Sequence, residues 1–193
     1  MPQTKSSAKA SDASATAQGT STSSRPISVL FVCLGNICRS PMAEAVFASL
    51  TASNPGVARI DSAGTGAYHA GDSPDSRTMD TLAENNINDY DHAARKMVAT
   101  DFTDFDYILA MDEDNLDDLE SMRRRLMKKD SSAASHRGQL MLFGDFGGKK
   151  GEQVVDPYYG ARNGFSVAYE QMVRFTTGFV EQVLTKVENP KNA

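Results

Sequence analysis

The sequence predicts a single α/β domain built on a parallel sheet with helices on both faces. Segments of strand character alternate with helical ones along the chain, the order that strand–helix–strand units produce. Two strand segments, Val29-Leu-Phe-Val32 and Tyr107-Ile-Leu-Ala-Met111, are continuously apolar, as strands buried on both faces are. At 193 residues the chain is long enough for one core and short for two.

The elements follow in order. Val29 to Val32 runs directly into Cys33, and Met42 to about Leu50 reads as a helix with Ala, Val, Phe and Leu on one face. Val57 to Asp61 is a short second strand. Ser73-Pro74 opens a helical stretch that Asn85-Asn86 stops. Tyr107 to Met111 is the next strand. The helix after it has Asp112, Glu113 and Asp114 at its start and Arg123, Arg124 and Arg125 near its end, which complements the macrodipole. These charges read as a solvated helix surface. Lys128 to Gly138 is polar and Ser-rich, Gln139 to Phe143 is a further strand, and Gly144 to Gly151 reads as a flexible glycine-lysine loop. The last helix runs from about Gly164 to Val187, with Val167, Val173, Phe175, Phe179, Val180 and Leu184 available for burial. No internal repeat is present.

The end of the first strand carries the chemistry. After Cys33 a turn must follow, because Gly35 and Asn36 tolerate φ > 0 and Ser40-Pro41 reads as an N-cap followed by the first helical residue. Strand, tight loop and helix turn backbone N–H groups and the positive helix end toward one point, which suits a phosphate dianion. Arg39 adds a bidentate fork. The same field favours the ionised thiol of Cys33 and makes it a competent nucleophile, and Ser40 is placed to hydrogen-bond that sulfur. A Cys and an Arg six residues apart also occur by chance. The strand before, the Gly-Asn turn within and the Ser-Pro helix start after are the setting a catalytic cysteine requires.

A cysteinyl-phosphate intermediate needs a proton for the departing oxygen, and Asp156 is the candidate. By sequence alone Asp156-Pro157 is an ordinary turn-opening pair, Tyr158 and Tyr159 are turn aromatics, His69, His92 and His136 are satisfied polar residues, and Cys38 is equally a small apolar filler or a thiol that the curled loop brings within bridging distance of Cys33.

Taken together, Val32-Cys-Leu-Gly-Asn-Ile-Cys-Arg-Ser-Pro-Met-Ala-Glu-Ala-Val-Phe47, Asp61-Ser-Ala-Gly-Thr65, Pro74-Asp-Ser-Arg77, His92-Ala-Ala-Arg95, Met111-Asp-Glu113 and Asp156-Pro-Tyr-Tyr-Gly160 resemble the low-molecular-weight protein tyrosine phosphatases. The resemblance spans about residues 27 to 187. It implies four parallel strands in a flavodoxin-like or Rossmann-like arrangement, with the phosphate loop after the first. It implies hydrolysis of phosphotyrosine in proteins and of small aryl phosphates, with Cys33 as nucleophile, Arg39 as phosphate clamp and Asp156 as general acid and then base. The loop residues Leu34, Gly35, Asn36, Ile37, Cys38 and Ser40 would bind substrate, Tyr158 and Tyr159 would wall the pocket opposite Tyr68, and Leu34 and Ile37 would line its mouth. Asn36, with Ser62 and His92, would hold the cradle in shape, Asn36 in a left-handed conformation. Asp112 would support the site, and Cys38 would protect Cys33 from irreversible oxidation. Neither metal nor other cofactor is expected.

A net charge of −5 argues against a nucleic-acid partner, and no apolar run reaches membrane-spanning length. Two cysteines, Cys33 and Cys38, form neither a secreted disulfide framework nor a four-ligand zinc site, so a reducing cytoplasm is the expected compartment. A monomer is expected. Residues 1–25 hold no Val, Ile, Leu or aromatic residue and no signal-peptide apolar region, and read as a disordered tail. The expected boundaries are therefore a tail over 1–25, a phosphatase domain over 26–189 and a flexible end over 190–193. An arsenate reductase on the same scaffold lacks a third thiol, a dithiol redox protein lacks the two-residue cysteine spacing, and a phosphate-binding module needs neither Cys33 nor Asp156. A P-loop nucleotide hydrolase lacks its Gly-Lys-Ser/Thr.

Overall fold

The computed structural model describes residues 25–129, 138–158 and 163–185. Four strands, β1 (Ile27–Cys33), β2 (Val57–Gly64), β3 (Tyr107–Ala110) and β4 (Gln139–Leu142), form one sheet. It is parallel throughout, in the order β2-β1-β3-β4. The helices are α1 (Arg39–Thr51), α2 (Ser76–Glu84), the single turn α3 (Asp101–Asp104), α4 (Glu113–Lys129) and α5 (Gly164–Phe179), which continues as a π turn over Val180–Leu184.

Alternation along β1 divides the core. Val29, Phe31 and Cys33 face one cluster with Phe47, Phe143, Phe175 and Phe179, where α1 and α5 cover the sheet. Leu30 and Val32 face a second cluster with Phe102, Phe105 and Leu119, under α3 and α4. Both faces of β1 are thus closed, which is why its sequence is apolar without alternation from Val29 to Val32. From β1 the chain passes to β2 on one side and then crosses from β2 to β3 on the other side of β1. Cys33 therefore ends its strand at the point where strand order reverses, the place where open α/β sheets bind ligands.

Several boundaries differ from the sequence reading. Ser40 is not the N-cap of α1. Cys38 occupies that position with no side-chain cap bond, and Ser40 lies in the first turn, its hydroxyl turned toward Cys33. The apolar face expected of α1 is absent because sheet, α2 and α5 enclose the helix, and Leu50, expected inside, is about half exposed. Asp75, not Ser73, caps α2 by accepting from Arg77 N. β2 runs to Gly64, so Ser62 lies within the strand. The Gly144–Gly151 segment is not a free loop: Phe143–Gly147 is a 3-10 helix, Phe146 is buried, and a Cβ at Gly144 would lie 1.9 Å from Glu152 O. On α5 the buried set also includes Phe165, Ala168 and Met172, while Val167, Val173 and Val180 are only partly covered.

Arg25, at the end of the expected tail, pairs with Asp106, whose Oδ2 also accepts from Ser28 N at 2.9 Å. The rest of that tail, His136 with most of the Lys128–Gly138 stretch, Tyr159, and the chain beyond residue 185 lie outside the described residues.

Phe31 packs between Phe47 and Phe143, with ring centroids 5.3 and 5.0 Å away. Phe31→Ala is expected to cost about 3–5 kcal/mol in urea denaturation, the range for emptying a large aromatic site; a loss below about 1 kcal/mol would show that this face can collapse around the gap.

Candidate active site

The turn after β1 is closed by its neighbours' backbone. Thr65 N donates to Cys33 O and Gly66 N to Leu34 O, both at 2.9 Å. A Cβ on Gly64 would meet Leu34 O at 2.7 Å, so the close approach of β2 to the loop needs a glycine there. Asn36 turns the chain with φ 57°, the left-handed region that Asn enters at low cost. Its N–H then points to Cys33 Sγ at 3.2 Å.

The Asn36 side chain is fully buried and makes four hydrogen bonds. Nδ2 donates to Ser40 Oγ and to Ser62 Oγ, each at 2.9 Å. Oδ1 accepts from Arg95 N at 2.8 Å and faces His92 Nε2 at 2.9 Å. Because Asn36 occupies one acceptor position of Ser40, the hydroxyl hydrogen is left for Cys33 Sγ at 3.1 Å or Ala63 O at 3.4 Å. The sulfur thus lies against the Asn36 N–H, with the Ser40 hydroxyl beside it.

A further layer supports Ser62 and His92. Glu44 Oε2 accepts from Ser62 Oγ at 2.7 Å and Tyr90 OH at 2.8 Å and lies 3.3 Å from His92 Nδ1. Burial, with the Glu44 carboxylate beside it, holds the Tyr90 phenol protonated well above its ordinary range. Arg95 pairs with Asp61 and the buried Asp101, both at 3.0 Å. The sequence reading gave Glu44, Tyr90 and Arg95 no role. Glu44 left one sign: it is a charge four residues after Ser40 in an otherwise apolar helix stretch. Glu44, Asp61 and His92 place potential ligand atoms within 4.8 Å of one another. Those atoms are already engaged: Glu44 as above, and Asp61 with Arg59 and Arg95. The cluster is an internal ion-pair network.

Arg39 is buried at the floor of the pocket. Its Nη1 donates to Asp112 Oδ2 at 2.5 Å, and Asp112 Oδ1 accepts from Asn115 N at 2.7 Å, capping α4. Nη2 lies 3.5 Å from Asp156 Oδ2. Burial opposes the Arg39 charge, but Cys33, Asp112 and Asp156 more than offset it and raise the guanidinium above its usual range. Asp156 is partly exposed, and its Oδ1 accepts from Tyr158 N at 3.0 Å.

Cys33, Leu34, Gly35, Ile37, Cys38 and Arg39 line a pocket of about 290 Å³ together with Tyr68, Asp156 and Tyr158. Its rim is apolar and open: Leu34, Tyr68 and Tyr158 are 49%, 78% and 43% exposed. His69, read from sequence as an ordinary polar residue, also lines the pocket and pairs with Asp72 at 3.1 Å. Cys38 is buried, and its thiol is pushed up to about 12 by burial and then by the charges of Asp75 and Cys33. The structure thus brings together the residues named above, save Tyr159, which lies outside the described residues.

A family model described as low molecular weight phosphotyrosine protein phosphatase matches residues 28–189. A phosphatase of that name from Schizosaccharomyces pombe is 44% identical over 161 residues, which cover 81% of this chain and 97% of that one. Its human counterpart is 40% identical over 158 residues, covering 80% and 94%. Among solved structures, a Drosophila arginine phosphatase aligns with TM-score 0.71 at 36% identity, covering 79% of this chain and 95% of that one. A low molecular weight protein tyrosine phosphatase from Streptococcus pyogenes aligns with TM-score 0.68 at 30% identity, covering 86% and 99%.

Asn36→Ala removes four buried hydrogen bonds and places a Cβ-bearing residue without a compensating amide at φ 57°. It is expected to lower kcat/KM for an aryl phosphate about a hundredfold, as misplacement of a catalytic constellation does; a loss below about threefold would show that the network does not hold the loop.

Proposed function

Because the chain belongs to the low molecular weight phosphotyrosine protein phosphatase family, we propose how its residues divide that reaction among themselves. The protein is a phosphoric monoester hydrolase acting on phosphotyrosine. The substrate phosphate enters the loop between Cys33 and Ser40, held by backbone N–H groups and the Arg39 guanidinium. The Cys33 sulfur attacks phosphorus, so that an S–P bond forms while the bond to the phenolic oxygen breaks, and Asp156 gives its proton to that oxygen. Asp156, now a carboxylate, takes a proton from water. The resulting hydroxide attacks phosphorus, the S–P bond breaks, and inorganic phosphate leaves with Cys33 restored.

One observation carries this assignment: Asp156 Oδ2 stands 3.5 Å from the Arg39 guanidinium over the pocket that Cys33 floors. An acid there faces the leaving group of any phosphate the arginine holds. The apolar rim of Leu34, Tyr68 and Tyr158 suits a phenyl ring, and Asn36, Ser62, His92 and Asp112 support the loop. The catalytic domain covers residues 26–189, which the match over 28–189 supports. Among the described residues no helix is long and apolar enough to cross a membrane. A nucleophilic thiol works only while reduced, which supports a cytoplasmic enzyme.

Turnover of p-nitrophenyl phosphate with a chelator present, beside phosphotyrosine and phosphoarginine peptides, tests the substrate class. Hydrolysis of the first two is expected; turnover of the phosphoarginine peptide alone would overturn it. Cys33→Ser is expected to abolish turnover while inorganic phosphate still binds. Asp156→Ala should lower kcat/KM about a hundred- to ten-thousandfold for phenols of high pKa and progressively less for better leaving groups. Equal losses across that series would remove Asp156 from the acid role.

Cys38 has a separate part in this proposal. Peroxide converts the Cys33 thiolate to a sulfenic acid, the Cys38 sulfur attacks it, and an S–S bond replaces the S–O bond as the departing hydroxide takes the Cys38 proton to form water. Peroxide inactivation should be reversed by dithiothreitol in the wild type, with the oxidised protein about 2 Da lighter. Recovery in Cys38→Ser equal to that of the wild type would leave Cys38 as packing alone.

A further inference from the structure

Arg77 lies outside the cradle yet is tied to both halves of the site. Its Nε and Nη2 donate to the two carboxylate oxygens of Asp75 at 2.9 and 2.7 Å, and its backbone N also reaches Asp75 Oδ1 at 2.9 Å. One carboxylate therefore caps α2 and fixes the plane of the guanidinium, a two-point match that a lysine cannot copy. The Arg77 hydrogen bond is also the main reason the Asp75 carboxyl stays below its usual range. Asp75 N donates to Ile37 O at 2.8 Å, fastening this assembly to the phosphate loop.

From that anchored position the guanidinium carbon lies 4.7 Å from the ring centre of Phe165, in the first turn of α5, and 5.3 Å from that of Tyr158. Tyr158 donates its N–H to Asp156 Oδ1, which leaves Oδ2 facing Arg39. The other side of the same short segment is held by Pro157, which is buried close enough to α5 that a Cβ on Gly164 would lie 3.2 Å from Pro157 Cα. Asp156 and Tyr158 themselves are substantially exposed. A partly exposed carboxyl has little apolar packing to aim it, so its orientation depends on such discrete anchors.

We infer that Arg77 is a positioning residue for the acid: the path Ile37–Asp75–Arg77–Tyr158 sets the Asp156 carboxyl over the phosphate loop, so that proton donor and nucleophile keep one geometry. The inference rests on the reading of Asp156 as the general acid. It assigns Arg77 no contact with the phosphate. Its loss should therefore act on leaving-group protonation and leave phosphate binding alone.

The test is kcat/KM, which reports the steps through release of the phenol, for Arg77→Ala and Arg77→Gln across aryl phosphates whose leaving groups run from 2,4-dinitrophenol to phenol. For phenyl phosphate a loss of about tenfold is expected, for the dinitrophenyl ester less than about twofold, since only a poor leaving group needs the acid in place. The inhibition constant of inorganic phosphate should stay within about twofold, and adding Arg77→Ala to Asp156→Ala should cost less than about twofold more, because residues that act through one group are not additive. A merely structural arginine would give equal losses across the series, an undiminished loss in the Asp156→Ala background, or weakened phosphate binding, and any of these overturns the inference. A sloped Asp156→Ala profile beside a flat Arg77 profile removes the inference alone. A flat Asp156→Ala profile removes the acid assignment and the inference with it.

Discussion

The turn that carries the chain from Cys33 into α1 holds its shape because the Asn36 amide, wholly buried, has all its polar positions met. Its two donor hydrogens go to Ser40 and Ser62, and its oxygen takes Arg95 N and faces His92. A buried amide left partly unmet costs about 1–3 kcal/mol for each orphaned group, and a fully met network in a low-dielectric interior is correspondingly specific. The left-handed backbone at Asn36 is held by the same bonds. Satisfying the side chain and turning the loop are one requirement.

The partners of Asn36 come from separate parts of the fold: Ser40 from α1, Ser62 from β2, and His92 and Arg95 from the segment that follows α2. Glu44 and Tyr90 then hold Ser62 and His92, while Asp61 and Asp101 hold Arg95. The loop thereby takes its rigidity from the sheet and from the helices on either side of it. Arg39 reaches the other face, where Asp112 both accepts its Nη1 and caps α4. Dipoles and charges fixed in this way stabilise a phosphoryl transition state without reorganising when the charge develops.

Features written in contiguous residues were legible in the sequence. The apolar run into Cys33, the Gly-Asn turn and the alternation of strands with helices place the loop at a sheet edge, because each rests on local backbone preference. Features decided by distant residues were not. Ser40 looks like an N-cap, since serine before proline usually is one, but its hydroxyl is taken by Cys33 and Asn36 from another turn. Leu50 belongs to an apolar stretch yet is exposed, because α1 is enclosed on several sides near its start and emerges at its end. Gly144 and Gly147 suggest a flexible loop, whereas the structure needs them small for close contact with Glu152 and Phe175. Glu44 and His69 owe their positions at the site to tertiary packing that no periodicity records.

In the proposed mechanism the preorganised loop lets Cys33 take the phosphoryl group. The direct test is acid quenching of the wild type within milliseconds of mixing with an aryl phosphate, followed by peptide mass mapping. A phosphate, about 80 Da, is expected on the peptide containing Cys33, appearing in a burst with released phenol at one equivalent per active site. Phenol release without a burst and without phosphate on Cys33, at full steady-state turnover, would contradict that mechanism.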